Sequence, residues 1–416
     1  MRHLSKASSR KPSADSLRLM NFCRAILQSG GRLEQRTWER HLESLIHKLL
    51  KSGHQQSLEA ALDQLFATEP EAYEVLMDAA EAGSESCTIE HDGVAYDALL
   101  VALPILAWTR YSIPEGAIPA DILATLGAHL HAHILADEVK VALAPTLFSL
   151  DQLPRTHAEI FALSHRMAQA ALKNTAVGSP PNPTETAPFL ADTRYLLAAV
   201  AAPAGMPLFG WQSAAGHNDY EAARTAALTQ WRLQATPNVT RLMPGCGIEL
   251  LLPDAYFIAC READRQIRPA SIRAADFYLT STLGVESREL HASIGAFAES
   301  DDGNIDEYRI GFGVGQNSEV VYGVIWPLYG QEDDDATAAD AVPAAQAGAA
   351  GTAPTPIEEI LALLRECGIT HITRHRERFL MEFCEDCGAP LYPDQDGELV
   401  HPEMPEGAPA GSEHFH

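Results

Sequence analysis

The chain has 416 residues, with 30 Lys and Arg against 56 Asp and Glu, and a formal charge of −26. Hydrophobic residues make up 46%, charged residues 21% and aromatics 7%, which excludes wholesale disorder, collagen and fibres. At roughly 100–200 residues per domain, this length predicts two to three domains and a core that needs no disulfide staples.

The basic, polar start MRHLSKASSRKPSADS offers no signal-peptide core, and the short apolar run 21–27 is interrupted by Arg24. The apolar runs 98–108 and 195–211 contain Pro104 and Pro203, Gly205 and Pro207. Neither reaches the ~18–20 uninterrupted apolar residues of a membrane helix. Seven cysteines without a secretion signal read as reduced thiols or metal ligands, so the expected compartment is the cytoplasm. Charge is uneven: residues 1–52 hold 11 Lys and Arg against four Asp and Glu, leaving −33 on the remainder. That acidic body repels polyphosphates, so any nucleic-acid contact is expected through residues 2–51 alone.

Residues 1–13 read as a flexible basic arm and 14–85 as a helical segment. Trp38, Leu42, Leu45, Ile46, Leu49 and Leu50 recur at helical spacing, with Thr37 as candidate cap and Gly53 as stop. A third helix carries Leu58, Ala61, Leu62, Leu65 and Phe66, and a fourth opens at Pro70. Short gaps between them predict antiparallel helical hairpins. From Cys87 the period becomes that of strands. A D-G turn at Asp92 and Gly93 predicts a hairpin, and the run ALLVALPILAW predicts a second arm buried on both faces. A helix with Ile122, Leu126, Leu130 and Ile134, a strand from Val139 and a helix after Pro154 complete a unit over 86–172.

That unit recurs over 189–284. Leu103-Pro104 corresponds to Ala202-Pro203 and Leu153-Pro154 to Leu252-Pro253, both 99 residues apart, and Arg166 matches Arg265 at the same offset. The second copy predicts a strand over 196–202, a helix over 220–234, a strand over 239–251 and a helix over 253–265, with a further helix over 269–283. A degenerate third copy is expected from a β-rich part, 285–330, and a helix, strand and CxxC hairpin over 357–402. Residues 173–188, 331–356 and 403–416 read as linkers or tail. The predicted fold class is α/β or α+β, built from these duplicated strand-helix-strand-helix units.

The strongest chemical signal is FCEDCGAPLYP. Cys384 and Cys387 can grip one Zn²⁺ from a tight turn, with Gly388 supplying the conformational freedom. A structural zinc site needs four ligands, and the completions open to this chain are Cys367, His401, His371 and His375, then the tail residues His414 and His416. A redox pair would sit at a helix start in a βαβ setting, which is not predicted here.

Other patterns read as structure. His129 and His133 share a helix face without the glutamate or third ligand of a zinc protease. Gly311, Gly313 and Gly315 alternate along a strand, placing bare backbone on one sheet face rather than cradling a phosphate. The acidic turns at Asp301 and Asp394 lack the alternating ligands of a calcium loop. Cys246 reads as a buried small residue and the CREADRQIR stretch as a salt-bridged helix face.

Four stretches, AWTRYSIPEG, VALAPTLFSLDQLP, LLLPDAYFIACREADRQIRPASIRAADFYLTSTLG and EFCEDCGAPLYP, resemble a family of uncharacterised bacterial proteins of similar length. That family carries a domain of unknown function and is found mainly in beta-proteobacteria. The resemblance implies a bacterial cytosolic protein with the same cysteine pair, and it supplies no activity, substrate or catalytic residues. The expected role is a non-catalytic binding or regulatory protein, stabilised by zinc, with a protein partner or small ligand and no membrane. The alternatives are an enzyme with an inter-repeat site at Arg110, His157 and Asp254, and a nucleic-acid-associated protein acting through its basic helices.

Overall fold

The computed structural model describes residues 13–53, 55–110, 112–178, 189–213, 220–300, 305–315, 319–329, 332 and 354–405. The basic arm up to residue 12, the acidic turn 301–304, and most of the three predicted linker and tail segments lie outside the described residues. The architecture is mixed α/β.

Four helices open the chain: α1 (Ala14–Leu27), α2 (Arg32–Ser52), α3 (Gln55–Thr68) and α4 (Pro70–Glu85). Their apolar faces meet in one core containing Leu19, Leu42, Ile46, Leu58, Leu65 and Leu76. Helix α2 begins a turn before Thr37, whose hydroxyl donates to the Leu33 carbonyl within the helix instead of capping it. Phe66 is not on the buried face. It is 71% exposed, with its ring edge-on to Tyr73 at 5.2 Å.

The D-G turn forms as expected, with both residues at positive φ (Asp92 51°, Gly93 78°), between β1 (Ser86–His91) and β2 (Val94–Trp108). Around β2 grows an antiparallel sheet that includes β3 (Gly116–Ala117), β4 (Lys140–Ser149), β5 (Ala191–Pro203), β6 (Gly247–Leu250) and β7 (Asp254–Ala255). Its order is β1-β2-β5-β4-β3, with β6 and β7 also paired to β2. Both faces of the central strands are covered. Val101, Leu103, Ile105 and Ala107 face α5 (Ala120–His133) and α8 (Tyr220–Leu242), whereas Leu100, Ala102 and Leu106 face α6 (His157–Lys173) and α9 (Tyr256–Leu283). The short helix α7 (Gly210–Ser213) lies between β5 and α8 in the chain. Double coverage explains the near-continuous apolar run of β2. Segments 86–172 and 189–284 interlock in this one sheet, since β2 pairs β5, β4 pairs β5 and β6 pairs β2.

Two prolines conceal longer helices. Residues 239–242, predicted as strand, belong to α8, which runs through Pro237, and only 247–250 form the strand. Packing overrides local propensity here, because Val239 and Met243 fill the core beneath the sheet. Likewise α9 is one helix through Pro269. Proline there cannot donate to the Arg265 carbonyl. That oxygen instead accepts from Arg268 Nε at 3.3 Å, which repairs part of the loss. Its N-terminal half buries Ala259 and Ala263 against the first sheet, and its C-terminal half buries Ile272, Ala275 and Leu279 against a second.

That second sheet has the order β10-β9-β8-β11, formed by β8 (Leu290–Ala298), β9 (Glu307–Val314), β10 (Tyr322–Pro327) and β11 (His371–Leu380). Helix α10 (Pro356–Glu366) precedes β11, capped by Thr355 and Glu358 in a capping box. The expected third copy therefore builds a separate sheet, and its β11 runs parallel to β8, unlike any pairing in the first. One face packs on α9 and α10, and the other carries the C-terminal hairpins. No helix among the described residues is long and apolar enough to cross a membrane.

Candidate metal centre

The chemistry-bearing knuckle is built on the outer face of β9. Along that face stand Glu307, Arg309, Gly311 and Gly313, alternating as strand residues do. The glycines permit close approach: a Cβ on Gly311 would stand 2.6 Å from the Pro393 carbonyl, and one on Gly313 would overlap the His291 ring. Next to them Arg309 is completely buried. Its Nε donates to Glu307 at 2.7 Å, and its Nη1 donates to the carbonyls of Glu382 at 2.7 Å and Leu391 at 2.8 Å. The guanidinium lies over the rings of Phe297 and Phe383, 4.3 and 5.1 Å from their centroids. One side chain therefore clamps both arms of the loop that carries the cysteines.

Within that loop Leu391 N–H donates to Glu382, Cys384 N–H to Ala389, and Gly388 N–H to Cys384. Gly388 takes φ 75°, the left-handed conformation that turns the chain. The backbone N–H groups of Cys387 and Asp386, with the Cys387 side chain, hydrogen-bond the Cys384 sulfur and hold its thiol below the ordinary cysteine range. A sulfur cradled by amides is prepared to be a thiolate, the form that binds metal.

The third ligand comes from a second hairpin, β12 (Tyr392–Pro393) and β13 (Leu399–Val400). Its turn is closed by Asp394, whose Oδ1 accepts from the N–H groups of Asp396 and Glu398, each at 2.9 Å. His375 of β11 braces this turn through Nε2, 2.8 Å from the Asp394 carbonyl. His401 follows β13 and brings Nε2 to 3.2 Å from Cys387 Sγ. One ligand atom from each of Cys384, Cys387 and His401 lies within 4.8 Å of the others, so the three can hold a metal ion.

The donor set fits. Tetrahedral zinc with S and N bonds of about 2.3 and 2.0 Å places those atoms roughly 3.5 Å apart, close to the observed separation. Nδ1 of His401, on the far side of the ring, lies 3.8 Å from a Glu403 carboxylate oxygen. At that distance the carboxylate makes no hydrogen bond, and Nδ1 is a buried polar atom without a hydrogen-bond partner among the described residues.

The other predicted ligands stand apart from this group. Cys367 follows α10 and packs against the core of the second sheet, where burial pushes its thiol up to about 11 beside Asp276. His371 opens β11, in register with His291. His414 and His416 lie outside the described residues. Sequence patterns do not single out Arg309 and Glu307, although they leave a signal: two charges in an apolar strand, on the face of the alternating glycines.

Two residues of the alternative catalytic site, Arg110 and Asp254, lie at separate places along β2. Arg110 lines a cavity beyond the end of β2. Asp254 is paired with Arg224 and sits opposite Ala102, six residues and roughly 20 Å back along the strand from Trp108. His157 lies with its ring 5.9 Å from that of Phe257. The rings of His129 and His133 are 6.2 Å apart, without a third ligand among the described residues. In the basic segment, Arg18 is paired with Asp15 and Arg24 with Glu69.

A family model described as "Protein of unknown function (DUF2863)" matches residues 4–415. No curated protein and no solved structure matches the chain.

Proposed function

The chain belongs to the family described as protein of unknown function DUF2863, and from that premise we propose that it is a cytosolic, non-catalytic binding protein of beta-proteobacteria whose C-terminal hairpins are locked by structural zinc. The observation that carries the zinc assignment is the convergence of Cys384, Cys387 and His401 with amide bonds already directed at sulfur. Zinc suits two thiolates and an imidazole better than the harder ions do. The ion would join two hairpins that are too short to be stable by themselves. The binding role is supported by a frame whose apolar anchors recur while its polar residues differ. We read units 86–172 and 189–284 as a doubled scaffold, which the interlocked pairing of their strands favours.

Metal analysis of the purified full chain tests the zinc assignment. About one equivalent of zinc is expected, lost in Cys384→Ser and in His401→Ala, with Cys367→Ser and His371→Ala unaffected. Wild-type protein prepared without chelators and holding no stoichiometric zinc rejects the assignment.

A further inference from the structure

A cavity of about 820 Å³ opens where the end of the first sheet meets α9 and α10, well away from the hairpin knuckle. Its size is that of a small-molecule site. The walls that matter are Trp108, Arg110, Glu249, Arg273, Phe277 and Glu359. We propose that this cavity binds a small aromatic carboxylate, with its ring against Trp108 and Phe277 and its carboxylate on the Arg273 side.

Two observations assign the ring. Trp108 lies against Gly247 so closely that its indole occupies the place of a Cβ, which makes it a fixed flat wall. Phe277 of α9 is 61% exposed although it faces a recess rimmed by charge. A large aromatic left open in such a place marks a contact surface for something apolar. Charge assigns the rest. Glu249 is engaged by Arg232 at 2.6 Å. Glu359 stands in the first turn of α10, where the helix dipole already balances a carboxylate. Arg273 Nη2 donates to both carboxylate oxygens of Glu366, at 3.3 and 3.4 Å, in an ion pair whose two side chains are more than half exposed and screened by water. A guanidinium so placed can turn its paired N–H groups to a carboxylate. The overall charge of −26 opposes polyanions, so a single carboxylate suits this site better than a phosphate-rich ligand.

Calorimetric titration of the full chain with indole-3-acetate, tryptamine and indole tests the proposal, because these probes share a ring and differ only in charge. Indole-3-acetate is expected to bind about tenfold or more tightly than tryptamine, with indole between them. Arg273→Met should remove that preference, and Phe277→Ala should weaken indole-3-acetate and indole alike. Ala270→Trp, which fills the cavity from α9, should abolish binding. If Ala270→Trp fails to fold, the solvent-exposed Phe277→Ala carries the same decision. Equal or tighter binding of tryptamine, indifference to Phe277→Ala, or no binding of any probe overturns the proposal. The zinc content of these variants should equal that of wild type, so this result is independent of the metal assignment.

Discussion

Arg309→Met is expected to lower unfolding free energy by about 3–5 kcal/mol, the cost of removing one partner from a buried ion pair. Methionine fills much of the same volume, so the loss isolates the guanidinium. It leaves the Glu307 carboxylate without its donor and the Leu391 and Glu382 carbonyls without their clamp. A double variant, Arg309→Met with Glu307→Gln, should recover only part of the loss. It removes the orphaned charge but not the need to hold the loop. Denaturant unfolding gives the energies, and zinc stoichiometry gives the consequence for the site: metal should be retained less firmly although no ligand has changed. Stability within about 0.5 kcal/mol of wild type would show that the clamp is not needed.

The second large effect concerns Glu85, the last residue of α4, whose carboxylate accepts the Phe257 N–H at 3.0 Å at the start of α9. Burial raises its pKa from 4.5 to about 7. The Phe257 N–H and Arg261 oppose the rise, and Glu81 and Asp254 add to it. A carboxyl raised on folding contributes stability that is fully present below about pH 4.5 and lost as pH rises through about 7. The size is about 3–4 kcal/mol, because a tenfold change in proton affinity corresponds to roughly 1.4 kcal/mol. Asp264 of α9, pushed up to about 6 by burial, acts in the same sense. Glu85→Gln keeps an acceptor for Phe257 and cannot ionise. Its melting temperature should exceed that of wild type at pH 8 and converge with it near pH 4.5. A difference that does not change with pH would place the Glu85 carboxylate in water in the folded state.

Patterns carried by neighbours in the chain are legible in the sequence itself. The both-face burial of β2 is explicit in ALLVALPILAW, the D-G hairpin in two residues, and the α2 face in its leucine spacing. The C-x-x-C-G knuckle is equally plain. What misleads is local grammar outweighed by packing. Pro269 and Pro237 each suggest a break, yet α9 and α8 continue because core contacts on both sides outweigh one missing hydrogen bond. Phe66 has helical spacing but lies off the buried face, beside the ring of Tyr73, so it remains mostly in solvent.

Composition, period and turn chemistry by themselves determined the helical opening, the doubly covered strands and the presence of a thiol pair, because each depends on residues a few positions apart. Only the tertiary structure chose His401 over Cys367 and His371, placed Arg309 beneath the knuckle and opened a cavity beside Trp108. Those outcomes rest on contacts such as that of Arg309 with carbonyls 73 and 82 residues further along. The entropy of closing so long a loop is recovered only when the whole sheet has formed, and no local pattern records it.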